Sequence, residues 1–259
     1  MRIAIYQSAL AGLMPADRLE HLARTVQETD AELILCPELF LSGYAVGEEL
    51  RRLAEPADGP SAARISGLAR MNRKAIVYGF PEASKEALYN SALAFGADGA
   101  LMAHHRKLAI PPGFERTYFT PGTGLTIFTL GEIKLGLLIC YDAEFPEAVR
   151  ATAEAGAHVL LVPTALGAQW PIVAERVIPA RAFENGLYVA YANHAGTEGD
   201  VTFLGGSCIC GPDGRDLARA GAAGTVISAT IEAIAVERAR NRLPYFQDLA
   251  ALRPRLQGR

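Results

Sequence analysis

The sequence predicts an α/β fold in which helices cover packed sheets. Strand-like and helix-like segments alternate along all 259 residues. Several strand-like segments are apolar without the polar alternation of a half-exposed strand, which indicates burial on both faces. No linker, low-complexity tract or short repeat divides the chain, so we expect one domain, residues 1–259, with 241–259 as a C-terminal tail. A layered sandwich of sheets with helices outside them satisfies these observations.

The first half of the chain predicts five strands and two helices. Asp17 and Ser61 are expected to cap the two helices, because each precedes a run with apolar residues on one helical face. Gly96–Gly99 is expected to form the turn between the last two strands. The predicted strands are residues 3–6, 32–36, 75–78, 88–95 and 101–105.

The second half opens with a loop, 108–124, that is rich in Pro and Gly. Pro146 suits the first turn of a helix that Gly156 ends. A second helical stretch, 172–184, contains Pro179, which should kink or interrupt it. A short helix is expected from Glu232. The predicted strands are residues 126–130, 134–139, 159–162, 188–192, 206–209 and 225–231.

Composition and charge exclude several classes of protein. Half of the residues are hydrophobic, a fifth are charged, and the net charge is −3. Without a run of Lys and Arg, binding to nucleic acid is not expected. The apolar runs are too short to span a membrane, and the N-terminus lacks a secretory signal. We therefore expect a cytoplasmic protein with no membrane partner.

The four cysteines are expected to be reduced thiols, mostly buried. Cys208 and Cys210 lie two residues apart in a predicted strand, and we expect their side chains on opposite faces. No second Cys/His pair stands at zinc-ligand spacing, so no metal site is predicted.

Three reactive side chains follow predicted buried strands: Glu38, Lys107 and Cys140. Ligands of α/β sheets bind at this edge. Taken singly, each residue has an ordinary structural explanation: a capping carboxylate, a solvated lysine and a small buried thiol. Cys140 also stands at a strand-to-helix turn, where the helix dipole and the Lys107 ammonium would favour the thiolate. No histidine partner is evident, so Glu and Lys would have to do the work that His does in a Cys-His enzyme.

Taken together, the segments around these residues resemble the nitrilase, or carbon-nitrogen hydrolase, superfamily. The resemblance covers nearly the whole chain and implies a four-layer αββα sandwich of two mixed sheets flanked by helices. It also implies a Glu38–Lys107–Cys140 triad, a second glutamate at Glu115, no cofactor, and a homodimer or larger homo-oligomer. The matching blocks are residues 35–44, 105–122, 138–147, 162–164 and 181–185.

Within the superfamily, the chain is most similar to aliphatic amidases of the 5-aminopentanamidase type. The resemblance implies hydrolysis of a small aliphatic carboxamide to the acid and ammonia through a cysteine thioester. Three alternatives stay open: a nitrilase acting on C≡N, an N-carbamoyl amine or amino acid amidohydrolase, and a catalytically silent scaffold of the same fold.

The expected mechanism assigns roles to further residues. The backbone N–H of Tyr141 is expected to hold the oxyanion together with Lys107. Residues expected to bind the substrate are Tyr44, Phe114, Glu144, Ala165 and Trp170. A substrate amine would need an anionic partner, for which the candidates are Asp142, Glu144, Glu198 and Asp200.

Overall fold

The computed structural model describes residues 1–85 and 87–258. The strands are β1 Arg2–Gln7, β2 Leu33–Leu35, β3 Ala75–Ser84, β4 Ala87–Phe95, β5 Leu101–Arg106, β6 Thr126–Leu130, β7 Ile133–Leu137, β8 Val159–Pro163, β9 Tyr188–Ala192, β10 Thr197–Glu198, β11 Val201–Thr202, β12 Cys208–Cys210, β13 Asp216–Arg219 and β14 Thr225–Thr230. The α-helices are α1 Pro15–Glu28, α2 Glu49–Leu53, α3 Pro60–Asn72, α4 Phe114–Tyr118, α5 Pro146–Glu154, α6 Ile178–Asn185, α7 Ala233–Arg242 and α8 Tyr245–Leu256.

The strands form two mixed sheets of six and one small ribbon. The first sheet has the order β14-β1-β2-β3-β4-β5, and the second has the order β13-β12-β9-β8-β7-β6. In the first, β1, β2 and β3 run parallel, and in the second β7, β8 and β9 do. The remaining neighbours in each sheet are antiparallel. The ribbon pairs β10 with β11.

Three apolar layers hold the sheets and helices together. Alternate residues of a strand face opposite sides, so Ile3 and Ile5 of β1 pack between the two sheets while Ala4 packs outward. The outer face of the first sheet packs on α1 and α3, and that of the second packs on α5 and α6. The predicted αββα sandwich is confirmed.

The predicted caps of the first two long helices were wrong. Helices α1 and α3 begin at Pro15 and Pro60, so Asp17 and Ser61 lie inside the first turn. Proline favours the first turn because its fixed φ suits the helix and its missing N–H would have no partner there. Ser61 binds the Glu55 carboxylate instead, through both its N–H and its hydroxyl.

Further differences concern the loops, the tail and the thiol pair. The predicted loop 108–124 contains α4, and the predicted tail 241–259 contains α8. The sulfurs of Cys208 and Cys210 lie 3.7 Å apart, because residues two apart in a strand share a face, so the expectation of opposite faces was wrong.

Two features of the long helical segments bear on the predictions. The expected interruption near Pro179 takes the form of a π-helical turn, Val173–Val177, which leads directly into α6. In the part of the chain that the structure describes, no helix combines the length and the hydropathy needed to cross a membrane.

Candidate active site

The two sheets bring the three predicted reactive residues to one place. Glu38 follows β2 and Lys107 follows β5, both in the first sheet, whereas Cys140 follows β7 in the second. Strands β2 and β5 run in the same direction, so their carboxyl ends meet at the same edge. The charges of Glu38 and Lys107 both act on the Cys140 thiol. The site therefore exists only where the two sheets face each other.

Lys107 lies at the centre of a fully buried ionic cluster. Its Nζ donates to Glu38 Oε1 at 2.7 Å and to both carboxylate oxygens of Glu115, at 2.8 and 2.7 Å. Burial alone lowers the pKa of Lys107, but the two carboxylates outweigh it and raise the pKa above its usual range. Lys107 therefore stays a cation at any ordinary pH.

Glu38 has one oxygen engaged and one free. Its Oε1 accepts from Lys107 and from Asn90 Nδ2, each at 2.7 Å. Its Oε2 is buried and has no hydrogen-bond partner among the residues that the structure describes. Burial raises the pKa of Glu38 to about 7, against the lowering effect of Lys107 and with the help of the Glu115 charge. A carboxyl with this pKa can both take and give a proton near neutral pH.

Cys140 is held in a backbone conformation that side chains seldom adopt. Its φ is 46°, in the left-handed region, and the residue begins a short 3₁₀ turn, Cys140–Glu144. Strain of this kind in non-glycine residues clusters at functional sites. The residue is 8 % exposed, so the thiol lies at the edge of the core between the sheets.

Lys107 lowers the pKa of Cys140, as expected, but other groups around the thiol outweigh it. Burial and the Glu38 charge raise the pKa of Cys140 well above its usual value, and they outweigh Lys107 and the polar groups of Thr164 and Ala165. The helix that was expected to favour the thiolate, α5, begins only at Pro146. The thiol is therefore neutral at rest and needs a base before it can attack.

Glu115 connects the cluster to the aromatic residues around it. It lies on α4 and accepts the Tyr44 hydroxyl at 2.7 Å. The Tyr44 ring meets Phe114 edge to face at 4.8 Å. Burial and the nearby Glu38, Glu115 and Cys140 raise the pKa of Tyr44, so its hydroxyl remains a donor. Tyr44, Phe114 and Glu115 thus form one connected group beside Lys107.

Tyr141 and Asp142 lie in the turn that carries the thiol. The Tyr141 N–H donates no hydrogen bond to any other residue in ranges 1–85 and 87–258, so it is free to bind an oxyanion. Asp142 accepts the backbone N–H groups of Leu108, Ala109 and Ile139. It therefore ties the segment after Lys107 to the segment before Cys140, and its carboxylate is not free to bind an amine.

The other acidic candidates differ in what surrounds them. Glu198 is bound by the Arg18 guanidinium at 2.8 Å and by the N–H groups of Tyr44 and Ala45. Asp200 is exposed. Glu144 is half-buried next to Lys107, and burial raises the pKa of its carboxyl. Its carboxylate makes no ion pair within the described ranges, so of the four it is the one that is both unpaired and close to Lys107.

Ala165 and Trp170 lie in the segment that follows β8. The Ala165 backbone lies beside the Cys140 sulfur. Trp170 is 56 % exposed, and no aromatic pair or hydrogen bond of its side chain joins it to the cluster among the described residues. Its predicted part in substrate binding stays a prediction.

Two functional-site residues were missed from the sequence: Asn90 and His194. His194 Nε2 donates to the Glu38 carbonyl at 2.7 Å, and its Nδ1 accepts the Ser8 hydroxyl at 3.0 Å. Asn90 contacts both carboxylates of the cluster. The available signal was a polar residue within an apolar strand, since Asn90 precedes the run Ser91–Phe95.

Comparison with known proteins agrees with this geometry. The family model for carbon-nitrogen hydrolases matches residues 3–241. The chain belongs to the carbon-nitrogen hydrolase family. A hydrolase encoded in the 5′ region of pqqF in Pseudomonas protegens is 41 % identical, over 96 % of this chain and 88 % of its own length. An (R)-stereoselective amidase of a Pseudomonas species is 35 % identical, over 85 % and 81 %.

Solved structures of carbon-nitrogen hydrolases carry the same fold. An amidase from Nesterenkonia sp. AN1, of the nitrilase superfamily, superposes with a TM-score of 0.84 at 34 % identity, covering 94 % of this chain and 98 % of that one. Mutant forms of that amidase hold a Michael adduct of acrylamide at the active-site cysteine, or butyramide.

Proposed function

We propose that this carbon-nitrogen hydrolase converts a small aliphatic carboxamide to the acid and ammonia through a thioester on Cys140. The observation that carries the proposal is the convergence of Cys140, Glu38 and Lys107 where the two sheets face each other, with Glu38 Oε2 buried and without a partner among the described residues. The Nesterenkonia amidase, which is similar to this chain, binds butyramide, a carboxamide of this class.

The first half of the reaction forms the thioester. Glu38 Oε2 takes the thiol proton of Cys140 as the sulfur attacks the amide carbon. The oxyanion is held by the Lys107 ammonium and the Tyr141 N–H; removing one such donor typically costs roughly a hundredfold to a thousandfold in turnover. Glu38 then passes its proton to the leaving nitrogen, and ammonia departs.

The second half releases the acid. Glu38, ionised again, takes a proton from water, and the resulting hydroxide attacks the thioester carbonyl. The same two donors hold the second oxyanion, and the thiol regains its proton as the acid leaves. Glu115 orients Lys107 throughout, because it holds the ammonium through both of its oxygens.

The pocket walls set the size and polarity of the substrate. Tyr44 and Phe114 would supply an aromatic side, and Ala165, whose side chain is a single methyl, follows next to the thiol. Glu144 contributes a half-buried carboxylate without an ion pair, which favours neutral or cationic amides over amides that carry a carboxylate.

The test is ammonia release from a panel of linear amides, carbamoyl amines and nitriles, with Cys140→Ala as the decisive variant. Cys36→Ala is the matched control. Cys36 is also a buried thiol, but it packs in the apolar layer between the first sheet and helices α1 and α3. We expect Cys140→Ala to lose at least roughly a thousandfold in turnover and Cys36→Ala to stay active. Retained turnover in Cys140→Ala would overturn the nucleophile assignment, and a preference for nitriles or carbamoyl amines would overturn the substrate class.

A further inference from the structure

Asn90 contacts every charged member of the buried cluster, although it is itself neutral. Its Nδ2 donates to Glu38 Oε1 at 2.7 Å and to Glu115 Oε2 at 3.2 Å. Its backbone carbonyl accepts the Lys107 N–H at 2.8 Å. The side chain is fully buried on β4, so water does not compete for these contacts.

The charges of the cluster explain why a neutral donor is needed at this position. When Glu38 and Glu115 are both ionised, two carboxylates face one ammonium, which leaves one excess negative charge out of contact with water. An amide N–H stabilises both carboxylates without bringing a proton that could be transferred to them. A third carboxyl group, at position 90, would add to the excess negative charge when ionised and would supply a transferable proton when protonated.

The orientation of the Asn90 amide follows from the same contacts. With the amide reversed, Oδ1 would stand 2.7 Å from a carboxylate oxygen, and two acceptors would repel each other. In the observed orientation Oδ1 is buried, and no group in ranges 1–85 and 87–258 forms a hydrogen bond with it. An unpaired buried acceptor is unfavourable, so the bridge to the carboxylates must outweigh its cost.

We infer that Asn90 is a positioning residue, which binds Glu38 Oε1 and Glu115 together and so leaves Glu38 Oε2 as the free oxygen that accepts the Cys140 proton. The inference rests on the proposed function, because it assumes that Glu38 is the base. The groups that act on the Glu38 carboxyl are Lys107 after β5, Glu115 on α4 and Asn90 on β4, while His194 after β9 holds its main chain.

As a positioning residue, Asn90 also affects the ionisation of Glu38. A hydrogen bond donated to a carboxylate favours its charged form, so removing the amide raises the pKa of Glu38 above its value of about 7. In Asn90→Leu we expect the acid limb of the reaction to move upward by about one pH unit or more. The effect should fall on kcat more than on KM, because Asn90 contacts the base.

The experiment measures the rate of Cys140 alkylation by iodoacetamide against pH, alongside ammonia release. Wild type, Asn90→Leu and Ser91→Ala are compared. Ser91 is the matched control, since it is the next residue on β4 and its buried hydroxyl donates to a different carboxylate, Glu82, at 2.6 Å. We expect the pH midpoint to rise in Asn90→Leu and to stay in place in Ser91→Ala.

Three outcomes separate the inference from the proposed function. An unchanged midpoint in a folded, active Asn90→Leu variant contradicts the role of Asn90 alone. Absence of both alkylation at Cys140 and ammonia release in the wild type contradicts the proposed function. Asn90→Ala removes the amide without placing a larger apolar group in the cluster and decides the matter if Asn90→Leu does not fold: the midpoint must rise, and an unchanged midpoint contradicts the inference.

Discussion

At the scale of single residues, burial raises two pKa values in the site, with opposite consequences for acid and base. Burial makes the Cys140 thiol a poor acid and makes Glu38 a better base than an exposed glutamate. Lys107 stays charged between its carboxylates and cannot act as the proton carrier. A raised thiol pKa favours a mechanism in which proton transfer from sulfur to Glu38 accompanies the attack on the substrate.

Glu38 predicts the pH dependence of the enzyme. With a pKa of about 7, Glu38 is ionised above that pH and protonated below it. Only the ionised form can take the thiol proton, so we expect kcat/KM to fall as the pH drops through about 7. Steady-state kinetics against pH measures this limb. Glu38→Gln should lose roughly a hundredfold to ten-thousandfold in kcat. If kcat/KM of Glu38→Gln still fell as the pH drops through about 7, the assignment of Glu38 as the base would be contradicted.

The sequence identifies the reactive residues but not the ionisation of the thiol. Glu38, Lys107 and Cys140 each follow an apolar run, which is a local pattern that can be seen without a structure. The pKa of Cys140 depends on burial between two sheets and on the exact neighbours, both of which are long-range properties. Asn90 was missed for the same reason, because its partners lie 52 and 25 residues away in the chain.

At the scale of elements, close backbone approach holds Glu38 in place. A Cβ on Gly79 of β3 would stand 2.5 Å from the Leu39 nitrogen and 2.9 Å from the Glu38 Cα. We expect Gly79→Ala to displace the backbone of Glu38 and to lower kcat by up to about a hundredfold, as misplaced catalytic groups commonly do.

The control for this change is Gly67→Ala. A Cβ at Gly67, within α3, meets nothing within 4 Å, and alanine favours the helix. Gly67→Ala should therefore keep full activity and unfold at the same or a higher denaturant concentration. Full activity in Gly79→Ala would show that the backbone at Glu38 tolerates the displacement.

A second element-scale prediction concerns the carboxylate that joins β3, β4 and β5. Although burial raises the pKa of Glu82, hydrogen bonds from His104, Arg106 and Ser91 lower it to about 2. A depressed folded pKa means that this stabilisation is present above pH 4.5 and is lost as the pH falls toward 2. In Glu82→Gln, the free energy of unfolding, measured by denaturant unfolding, should depend less steeply on pH between 4.5 and 2. The pH at which kcat/KM falls should not change. An equally steep profile in the variant would contradict this.

The sequence predicted the strands better than the helix ends. The strand Tyr188–Ala192 was predicted with its observed bounds, because a run of six apolar residues between Gly186 and Asn193 leaves little choice. Helices α4 and α8 were missed, since α4 is five residues long and α8 buries none of its residues, so neither has the apolar face that marks a helix in a sequence.

At the scale of the whole molecule, a buried ion pair links the two halves of the sandwich. Arg18 on α1, which covers the first sheet, binds Glu198 on β10, which follows strand β9 of the second sheet. Glu198 also binds the N–H groups of Tyr44 and Ala45. The pair therefore couples the helix layer to the loop that carries the pocket wall.

Removing one member of this pair should destabilise the fold strongly. Arg18→Met leaves the Glu198 carboxylate buried without its cation, which typically costs about 3–5 kcal/mol of the free energy of unfolding. Chemical denaturation measures the loss. Arg52→Met, which removes an exposed ion pair within α2, is the control and should change the stability little. Equal effects of the two variants would contradict the importance of the buried pair.

The central claim is that a covalent acyl group forms on Cys140 during turnover. Its most direct measurement is the intact mass of the protein, quenched in acid within milliseconds of mixing with a good amide substrate, followed by peptide mapping. The account predicts a mass increase equal to the substrate minus ammonia, confined to the peptide that contains Cys140 and missing in Cys140→Ala. An acyl group on another cysteine, or full turnover by the alanine variant, would contradict it.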